Sequence, residues 1–232
     1  MPAILRPGNV LLCCLASLCV FTKVSAQAGT PVTQPASAAR GSTAETVTPW
    51  RGVSLSGGGP SLLLRERERE SFEERQTFRA AYVHPLRGAL SVSAAFEEYR
   101  FAVDRSALAE KLGGSLTNMQ GGDSRIRALS LTAELSGVEV ANTKPYVFGG
   151  PALVAYRDEP FRFTHAPPAN LPPVEHVRPG SSLVRPGGSV GAGVRVRVIG
   201  GLHGLAEGNF LAGFHPDGAL LAAVRAGVAY AY

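Results

Sequence analysis

The last residues of the chain, 220–232, alternate between an apolar face and a face of small side chains with one charge. The apolar face consists of Leu220, Ala222, Val224, Ala226, Val228, Tyr230 and Tyr232. The other face consists of Leu221, Ala223, Arg225, Gly227, Ala229 and Ala231. A period of two residues belongs to a β-strand and not to a helix. The chain therefore ends in a strand whose two faces meet different surroundings.

Seven earlier segments show the same alternation, separated by Gly, Pro, Asn and Asp. The eight expected strands lie at residues 51–58, 77–84, 90–101, 128–138, 146–156, 190–198, 202–214 and 220–232. The connections at 59–76, 102–127 and 157–188 are long, and the others are short. Short turns at one end and long loops at the other are typical of barrels in outer membranes. We therefore expect an all-β fold, an eight-stranded antiparallel up-and-down transmembrane β-barrel, over residues 47–232.

The N-terminus predicts export. Arg6 precedes an apolar stretch at residues 10–21, and Val24-Ser25-Ala26 provides the small residues of a signal-peptidase site. We expect a signal peptide at 1–26 cleaved after Ala26, and a flexible periplasmic tail at 27–46. A lipoprotein site at Cys19 is a weaker alternative, because Leu18 stands where a small residue is expected.

Export also determines the cysteine content and the charge of the mature chain. All three cysteines, Cys13, Cys14 and Cys19, lie in the signal peptide, so disulfides, thiolate metal sites and cysteine nucleophiles are excluded after cleavage. Cleavage also removes Arg6 and Lys23, leaving 21 basic against 18 acidic side chains, a balance of +3. No basic block with interleaved aromatics occurs, so nucleic acid is not an expected partner.

The smaller faces of several strands carry isolated charges. A narrow barrel of eight strands is filled by side chains and leaves no solute channel, so charges inside it should pair with one another. The predicted interior charges, with a structural role, are Glu97, Glu134, Glu207, Arg195, Arg197 and Arg225. Tyr146 and Tyr156 are ten residues apart on one face, a spacing that suits the two aromatic girdles of a membrane barrel.

Two motifs resemble a known family. Residues 144–151, KPYVFGGP, are similar to the fifth strand of the opacity-protein and porin-like small outer-membrane barrels, and residues 190–194, VGAGV, are similar to their sixth. The resemblance covers residues 47–232 and implies outer-membrane lipids as surroundings, a monomer, and loops 59–76, 102–127 and 157–188 as the extracellular contact surface. Terminal Tyr232, with Tyr230, resembles the aromatic signal read by the barrel-assembly machinery, although the family usually ends in Phe.

The resemblance implies no common catalytic site, no metal and no cofactor, and we expect no enzymatic activity. His203 and Glu207 share a face but lie four residues apart along a strand, too far to touch, and no serine lies in that strand. His165, Glu175 and His176 lie in a proline-rich loop without ligand spacing. The alternating charges at 65–70 predict a self-paired surface, or contact with lipid head groups.

Three hypotheses remain open from the sequence. The first is a structural or surface-interaction barrel in the bacterial outer membrane. The second is a lipid-modifying barrel enzyme, which needs His203, Glu207 and a loop serine at one mouth. The third is a soluble exported barrel for an apolar ligand. It predicts that Val190, Val194 and Val198 face inward and that Arg195 and Arg197 face water.

Overall fold

The structure, a computed structural model, describes residues 50–58, 62–63, 72–113, 115–166, 172–214 and 220–232. All described residues belong to one compact unit. The predicted signal peptide at 1–26, the tail at 27–46 and the charged run at 65–70 lie outside the described residues. None of the helices in the described ranges combines the length and the apolarity needed to cross a membrane.

Twelve strands and one helix make up the described chain. They are β1 (Gly52–Gly58), β2 (Leu62–Leu63), β3 (Phe72–Arg87), β4 (Leu90–Val103), α1 (Arg105–Leu112), β5 (Ser115–Gly121), β6 (Ser124–Ser136), β7 (Thr143–Asp158), β8 (Phe161–Ala166), β9 (Val174–Arg178), β10 (Ser181–Ile199), β11 (Leu202–Gly213) and β12 (Leu220–Ala231).

Eight of these strands form a closed antiparallel ring in the order β1-β3-β4-β6-β7-β10-β11-β12. The ring closes because β1 pairs on one side with β3, at Gly52↔Val83, and on the other with β12, at Gly52↔Ala231. The short β2 continues the line of β1 along β12. Each strand pairs with its neighbour in sequence around the ring, which is the up-and-down topology. A closed ring leaves no unpaired sheet edge.

The two ends of the barrel differ, and we call them the turn end and the loop end. Tight connections join β3 to β4 and β10 to β11 at the turn end. They contain Gly88 and Gly200, whose φ angles of 57° and 53° suit glycine. The described termini, Trp50 and Tyr232, lie at the same end. The loop end carries α1, capped by Asp104 and Gly113, and a separate three-stranded sheet in the order β5-β8-β9.

That second sheet corrects the expected loops. Residues 102–127 contain α1, β5 and the start of β6, while residues 157–188 contain β8, β9 and the start of β10. Strand β10 is 19 residues long, about twice what a tilted strand needs to cross a bilayer. β5 and β9 show no regular apolar-polar alternation, and β8 alternates Phe161 and Phe163 with Arg162 and Thr164 over only six residues. The long alternating pattern that predicted the ring strands is therefore missing here.

The faces of the ring are inverted relative to a soluble barrel. Leu131, Val198 and Val224 point outward and are 56%, 66% and 76% exposed, whereas Ser91, Thr132 and Glu97 point inward and are at most 1% exposed. This polarity is typical of a barrel with lipid around it. Together with the closed ring it confirms the predicted fold class, an eight-stranded antiparallel transmembrane β-barrel.

The same polarity overturns the hypothesis of a soluble ligand-binding barrel. Val194 is 36% exposed, Val198 also faces outward, and Arg195 is 2% exposed. These positions are the reverse of what that hypothesis requires. Outward-facing valines contact lipid and not water when a membrane surrounds the barrel, so their exposure has no hydrophobic cost there.

The barrel interior is layered. Near the loop end, an apolar cluster contains Tyr99, Phe101, Ile126, Ala128, Ala152, Val154, Leu211, Leu221 and Ala223. Near the turn end, a smaller cluster contains Trp50, Val83 and Ala229. The buried charges lie between the two clusters, so side chains fill the described interior along its length.

Candidate functional site

Six buried charges form the centre of the barrel interior. They are Arg79, Arg195, Arg225, Glu97, Glu134 and Glu207, none more than 4% exposed. Three positive and three negative groups balance one another. Charges buried in a low-dielectric interior need such partners, because an unpaired one keeps the full cost of leaving water. The interior is thus a charge-paired plug.

Four of these charges form one alternating cluster. Arg79 lies 3.0 Å from Glu207 and 3.5 Å from Glu97. Arg225 lies 3.2 Å from Glu97 and 3.5 Å from Glu207. Each arginine therefore contacts both carboxylates, and each carboxylate contacts both arginines. The four residues come from β3, β4, β11 and β12, so the cluster connects strands that meet only when the ring closes.

Neutral side chains complete the coordination of both carboxylates. Glu97 accepts hydrogen bonds from the Tyr99 hydroxyl at 2.5 Å and from Asn209 Nδ2 at 2.9 Å. Glu207 accepts them from Ser56 Oγ at 2.8 Å and from the Tyr146 hydroxyl at 3.0 Å. Because several donors surround each carboxylate, the ionised forms are stabilised by hydrogen bonds as well as by the arginines.

The third pair, Glu134 and Arg195, lies nearer the turn end. Arg195 donates from Nη1 and Nη2 to the two carboxylate oxygens of Glu134, both at 2.7 Å. Its guanidinium group is sandwiched between two rings, 4.0 Å from the centre of Trp50 and 3.8 Å from that of Tyr146. A bidentate pair between two aromatic faces combines directional hydrogen bonds with cation–π attraction. It fixes Trp50 in the barrel mouth.

The tyrosines predicted for the aromatic girdles lie elsewhere. Tyr146 is 3% exposed and points into the charged layer, and Tyr156 packs against the inner apolar cluster near the loop end. They do share one face of β7, as the spacing predicted, but it is the inner face. Both faces of β7 are largely apolar, so alternation showed two sides without showing which one met lipid. The register with β6 and β10 places Val147 and Leu153 outward instead.

One predicted interior charge is also displaced. Arg197 lies near the turn end of β10, its side chain half exposed, and contacts Glu139 at 3.1 Å in the β6–β7 connection. It follows Arg195 on the inner face, but the strand has reached the barrel mouth at that point. The alternation correctly predicted that Arg197 lies on the inner face of β10. It does not show how far along the barrel axis a residue lies.

The aromatic residues of the C-terminus lie on the outer face at the turn end. Tyr230 and Tyr232 are 53% and 59% exposed. The Tyr232 amide donates to the Arg51 carbonyl at 3.3 Å, and the Arg51 guanidinium lies 5.1 Å from the Tyr232 ring centre. The predicted recognition of this strand by the assembly machinery stays a prediction.

His203 and Glu207 belong to separate environments. The Nδ1 atom of His203 lies 3.0 Å from the Gly201 carbonyl oxygen, and its ring meets Trp50 edge-on. Glu207 is held in the four-charge cluster. Ser56 donates to Glu207, but among the described residues no serine is hydrogen-bonded to His203, the contact between nucleophile and base that a hydrolytic triad requires.

The histidines of the third loop lie in the β5-β8-β9 sheet. The His176 ring stacks on Phe163 with centroids 4.9 Å apart, and Glu175 pairs with Arg162 at 3.4 Å. Within the ranges that the structure describes, no group of three or more His, Cys, Asp or Glu side chains is placed to hold a metal ion. Every residue of β9 is exposed, so this sheet offers a formed surface at the loop end.

Sequence reasoning missed several members of the interior network. Arg79 lies on the same face of β3 as buried Thr77. The alternation of β3 was therefore enough to predict that Arg79 points into the barrel. Tyr99 follows Glu97 on the inner face of β4 and could have been found in the same way. Trp50 precedes the first strand, and no pattern in the sequence indicates that its ring enters the barrel.

Comparison with known proteins adds similarities of fold only. No protein-family model matches the chain, and no curated protein matches it. Among solved structures, the chain is similar to Neisserial surface protein A, with 10% identity, a TM-score of 0.47, and 79% of this chain and 97% of the other covered. It is similar to Ail, the attachment invasion locus protein of Yersinia pestis, at 12% identity and 0.43, covering 79% and 99%. The N-terminal β-barrel domain of Pseudomonas aeruginosa OprF matches at 13% and 0.41, covering 79% and 98%. The topology described above rests on this chain's own strand pairing.

Proposed function

We propose that the protein is a non-catalytic barrel of the bacterial outer membrane whose loop end contacts a partner outside the cell. The polarity of the faces supports a membrane location. The short connections and the termini at the turn end match the periplasmic side of such barrels. The filled interior favours a structural or adhesive role over transport, because eight strands packed with side chains leave no solute path.

The observation that carries the proposal is the joint sheet at the loop end. Strand β5 belongs to the β4–β6 connection, whereas β8 and β9 belong to the β7–β10 connection, and pairs such as Thr117↔Thr164 and Phe163↔His176 join all three. Two connections that form one sheet lose less conformational entropy on binding than two independent loops. The exposed β9 and the Phe163–His176 stack provide a preformed contact surface.

The proposal is tested by separating the sheet from the barrel. A variant in which a short Gly-rich turn replaces residues 161–178 keeps all eight ring strands. We expect it to reach the outer membrane, and to show the same mobility shift on boiling as the full chain. Adhesion of intact cells to surfaces or to one another should fall to the level of cells lacking the protein.

Three results would contradict parts of this proposal. Adhesion that depends on the protein but survives loss of residues 161–178 would exclude the sheet as the contact surface. A periplasmic product without a heat-dependent shift would exclude the membrane location. Solute conductance through a planar bilayer containing the full chain would contradict the filled interior.

A further inference from the structure

Arginines on the outer face of the barrel stand in register across three neighbouring strands. Arg100 of β4 lies directly opposite Arg125 of β6, and Arg125 lies directly opposite Arg157 of β7. Each points to the outer face of its strand. Arg100 and Arg125 are followed by the buried, inward-pointing residues Phe101 and Ile126, and Arg157 follows the inward-pointing Tyr156. We call Arg100, Arg125 and Arg157 the arginine row.

Such a row is unfavourable on its own. Like charges directly opposite each other on paired strands repel and destabilise a sheet. Nearby carboxylates neutralise it only in part. Glu98 contacts Arg100 at 2.6 Å but is shared with Arg127 at 2.9 Å, and Glu159 lies 3.6 Å from Arg125 at an exposed position.

Arg157 is the least compensated member. Its side chain is exposed, and no ion pair joins it to any other described residue. Its position opposite Arg125 is set by the pairing of β6 with β7, and the half-exposed Glu159 contacts Arg125 but forms no ion pair with Arg157. This arrangement suits an anion that comes from outside the chain.

The row lies at the upper edge of the apolar outer surface. Below it, towards the turn end, the outward residues of β4 are Leu90, Val92, Ala94 and Phe96, and those of β6 are Leu135, Ala133, Leu131 and Leu129. The next outward residues, Glu98 and Arg127, are charged. In a barrel that spans a membrane, this boundary places the arginine row at the level of the lipid head groups on the loop-end side.

The opposite side of the barrel has no equivalent. The outward residues of β11 are Leu202, Gly204, Ala206, Gly208, Phe210 and Ala212, and those of β12 run from Leu220 through Val224 to Tyr230. No charge faces outward on these two strands. The charged boundary is therefore not a ring that every strand shares.

A shallow cavity opens beside the row. Its volume is about 330 Å³, and it is lined by Gln76, Arg100, Phe101, Asp123, Ser124 and Arg125. Two guanidinium groups, an amide and a hydroxyl provide donors, and Asp123 is the one carboxylate in this lining. Neighbouring strands are about 4.8 Å apart, so a single tetrahedral anion can accept hydrogen bonds from arginines on both strands.

We propose that the arginine row binds the phosphate groups of a phosphorylated glycolipid of the outer leaflet. The inference rests on the proposed membrane location. Guanidinium groups bind phosphate oxygens in a bidentate manner, and basic positions at the membrane surface bind anionic head groups. A sugar head group with more than one phosphate fits three arginines in line better than a single phosphodiester does.

The test uses the detergent-folded mature protein in a neutral, phosphate-free micelle. The probes are lipid A with two phosphates, the same lipid after enzymatic removal of its phosphates, and phosphatidylglycerol. We expect the phosphorylated lipid A to bind most tightly. The triple variant R100Q/R125Q/R157Q should weaken that binding by about tenfold or more, the effect of losing at least one charge-assisted contact.

A matched variant, R51Q/R87Q/R105Q, removes the same charge at exposed positions outside both the row and the β5-β8-β9 sheet, and should bind as the wild type does. The proposal is overturned if the row variant binds normally, if the matched variant loses as much, or if removing the phosphates changes nothing. Equal binding of phosphatidylglycerol would overturn the assignment to a multiply phosphorylated glycolipid.

The mobility shift on boiling is recorded for every preparation. If the wild type shows no shift, the proposed membrane barrel fails. If the shift is normal but the lipids are not distinguished, only the arginine row fails. Thermal unfolding without lipid gives a second measure, because removing the repulsion between facing cations should raise the midpoint of R100Q/R125Q/R157Q. If the arginine row instead stabilised the barrel by itself, the unfolding midpoint of this variant would fall.

Discussion

Arginines occur on both faces of this barrel, and their surroundings differ. Inside, Arg195 has both oxygens of Glu134 at 2.7 Å and an aromatic ring on each side. Outside, Arg157 faces Arg125 and has no ion pair among the described residues. A buried cation without a partner is too costly to persist, so the interior arginines need carboxylate partners. An exposed cation is under no such constraint and remains available to a ligand.

The largest loss of stability is expected when the inner pair of Glu134 and Arg195 is disrupted. Glu134→Leu leaves the Arg195 guanidinium buried without its carboxylate, and we expect a loss of about 3–5 kcal/mol in the free energy of unfolding. Fluorescence of Trp50, the only tryptophan of the chain, reports urea unfolding from its place beside Arg195. The double variant E134L/R195L should recover most of the loss. A single variant that is as stable as the double would show that the pairing contributes nothing.

The outer apolar face gives the next largest effect. Leu131 is central on the outer face of β6, and Leu131→Arg should cost about 2–4 kcal/mol if lipid surrounds it. The control is Val177→Arg on β9, which is 60% exposed at the loop end and should change little. Unfolding in lipid vesicles measures both. Equal tolerance of the two substitutions would mean that water, not lipid, meets the outer face.

A smaller effect is expected inside, at a single hydrogen bond. Tyr146→Phe removes the hydroxyl that donates to Glu207 at 3.0 Å, while the ring beside Arg195 remains. Hydrogen bonds to charged groups contribute about 1.5–3 kcal/mol, and the variant should lose stability in that range. Tyr230→Phe, on the outer face, should leave the unfolding curve unchanged. If Tyr230→Phe lost more stability than Tyr146→Phe, Tyr146 would lie at the lipid surface and not inside the barrel.

The smallest predicted effect is a gain in stability, whereas the preceding ones are losses. Arg157→Gln relieves repulsion with Arg125, so in phosphate-free detergent the variant should gain about 0.2–1 kcal/mol, the size of one cross-strand pair. Arg178→Gln, on exposed β9, removes the same charge without a facing arginine and should gain nothing. Differential scanning of both variants measures the change. A loss for Arg157→Gln would show that the row stabilises the barrel by itself.

The sequence predicted the strands in the membrane-facing part well and the loop-end structure poorly. Alternation in β4 separates Ser91, Ser93 and Glu97 from Leu90 and Val92, and the structure buries the first group. Every residue of β9 is exposed and no alternation marks it as a strand, whereas β8 alternates Phe161 and Phe163 with Arg162 and Thr164 over only six residues. Arg79 and Tyr99 could have been found by the same parity, whereas the entry of Trp50 into the barrel mouth could not.

The chain's periodicity determined the number of ring strands and the division of their residues into two faces, because both depend on neighbours two residues apart. The tertiary structure alone decided which side of β7 turned inward, the alternating contacts of Arg79, Glu97, Glu207 and Arg225, and the alignment of Arg100, Arg125 and Arg157. These features join residues far apart in sequence. They depend on strand register and ring closure, which are set by the pairing of whole strands and not by the local pattern within any one of them.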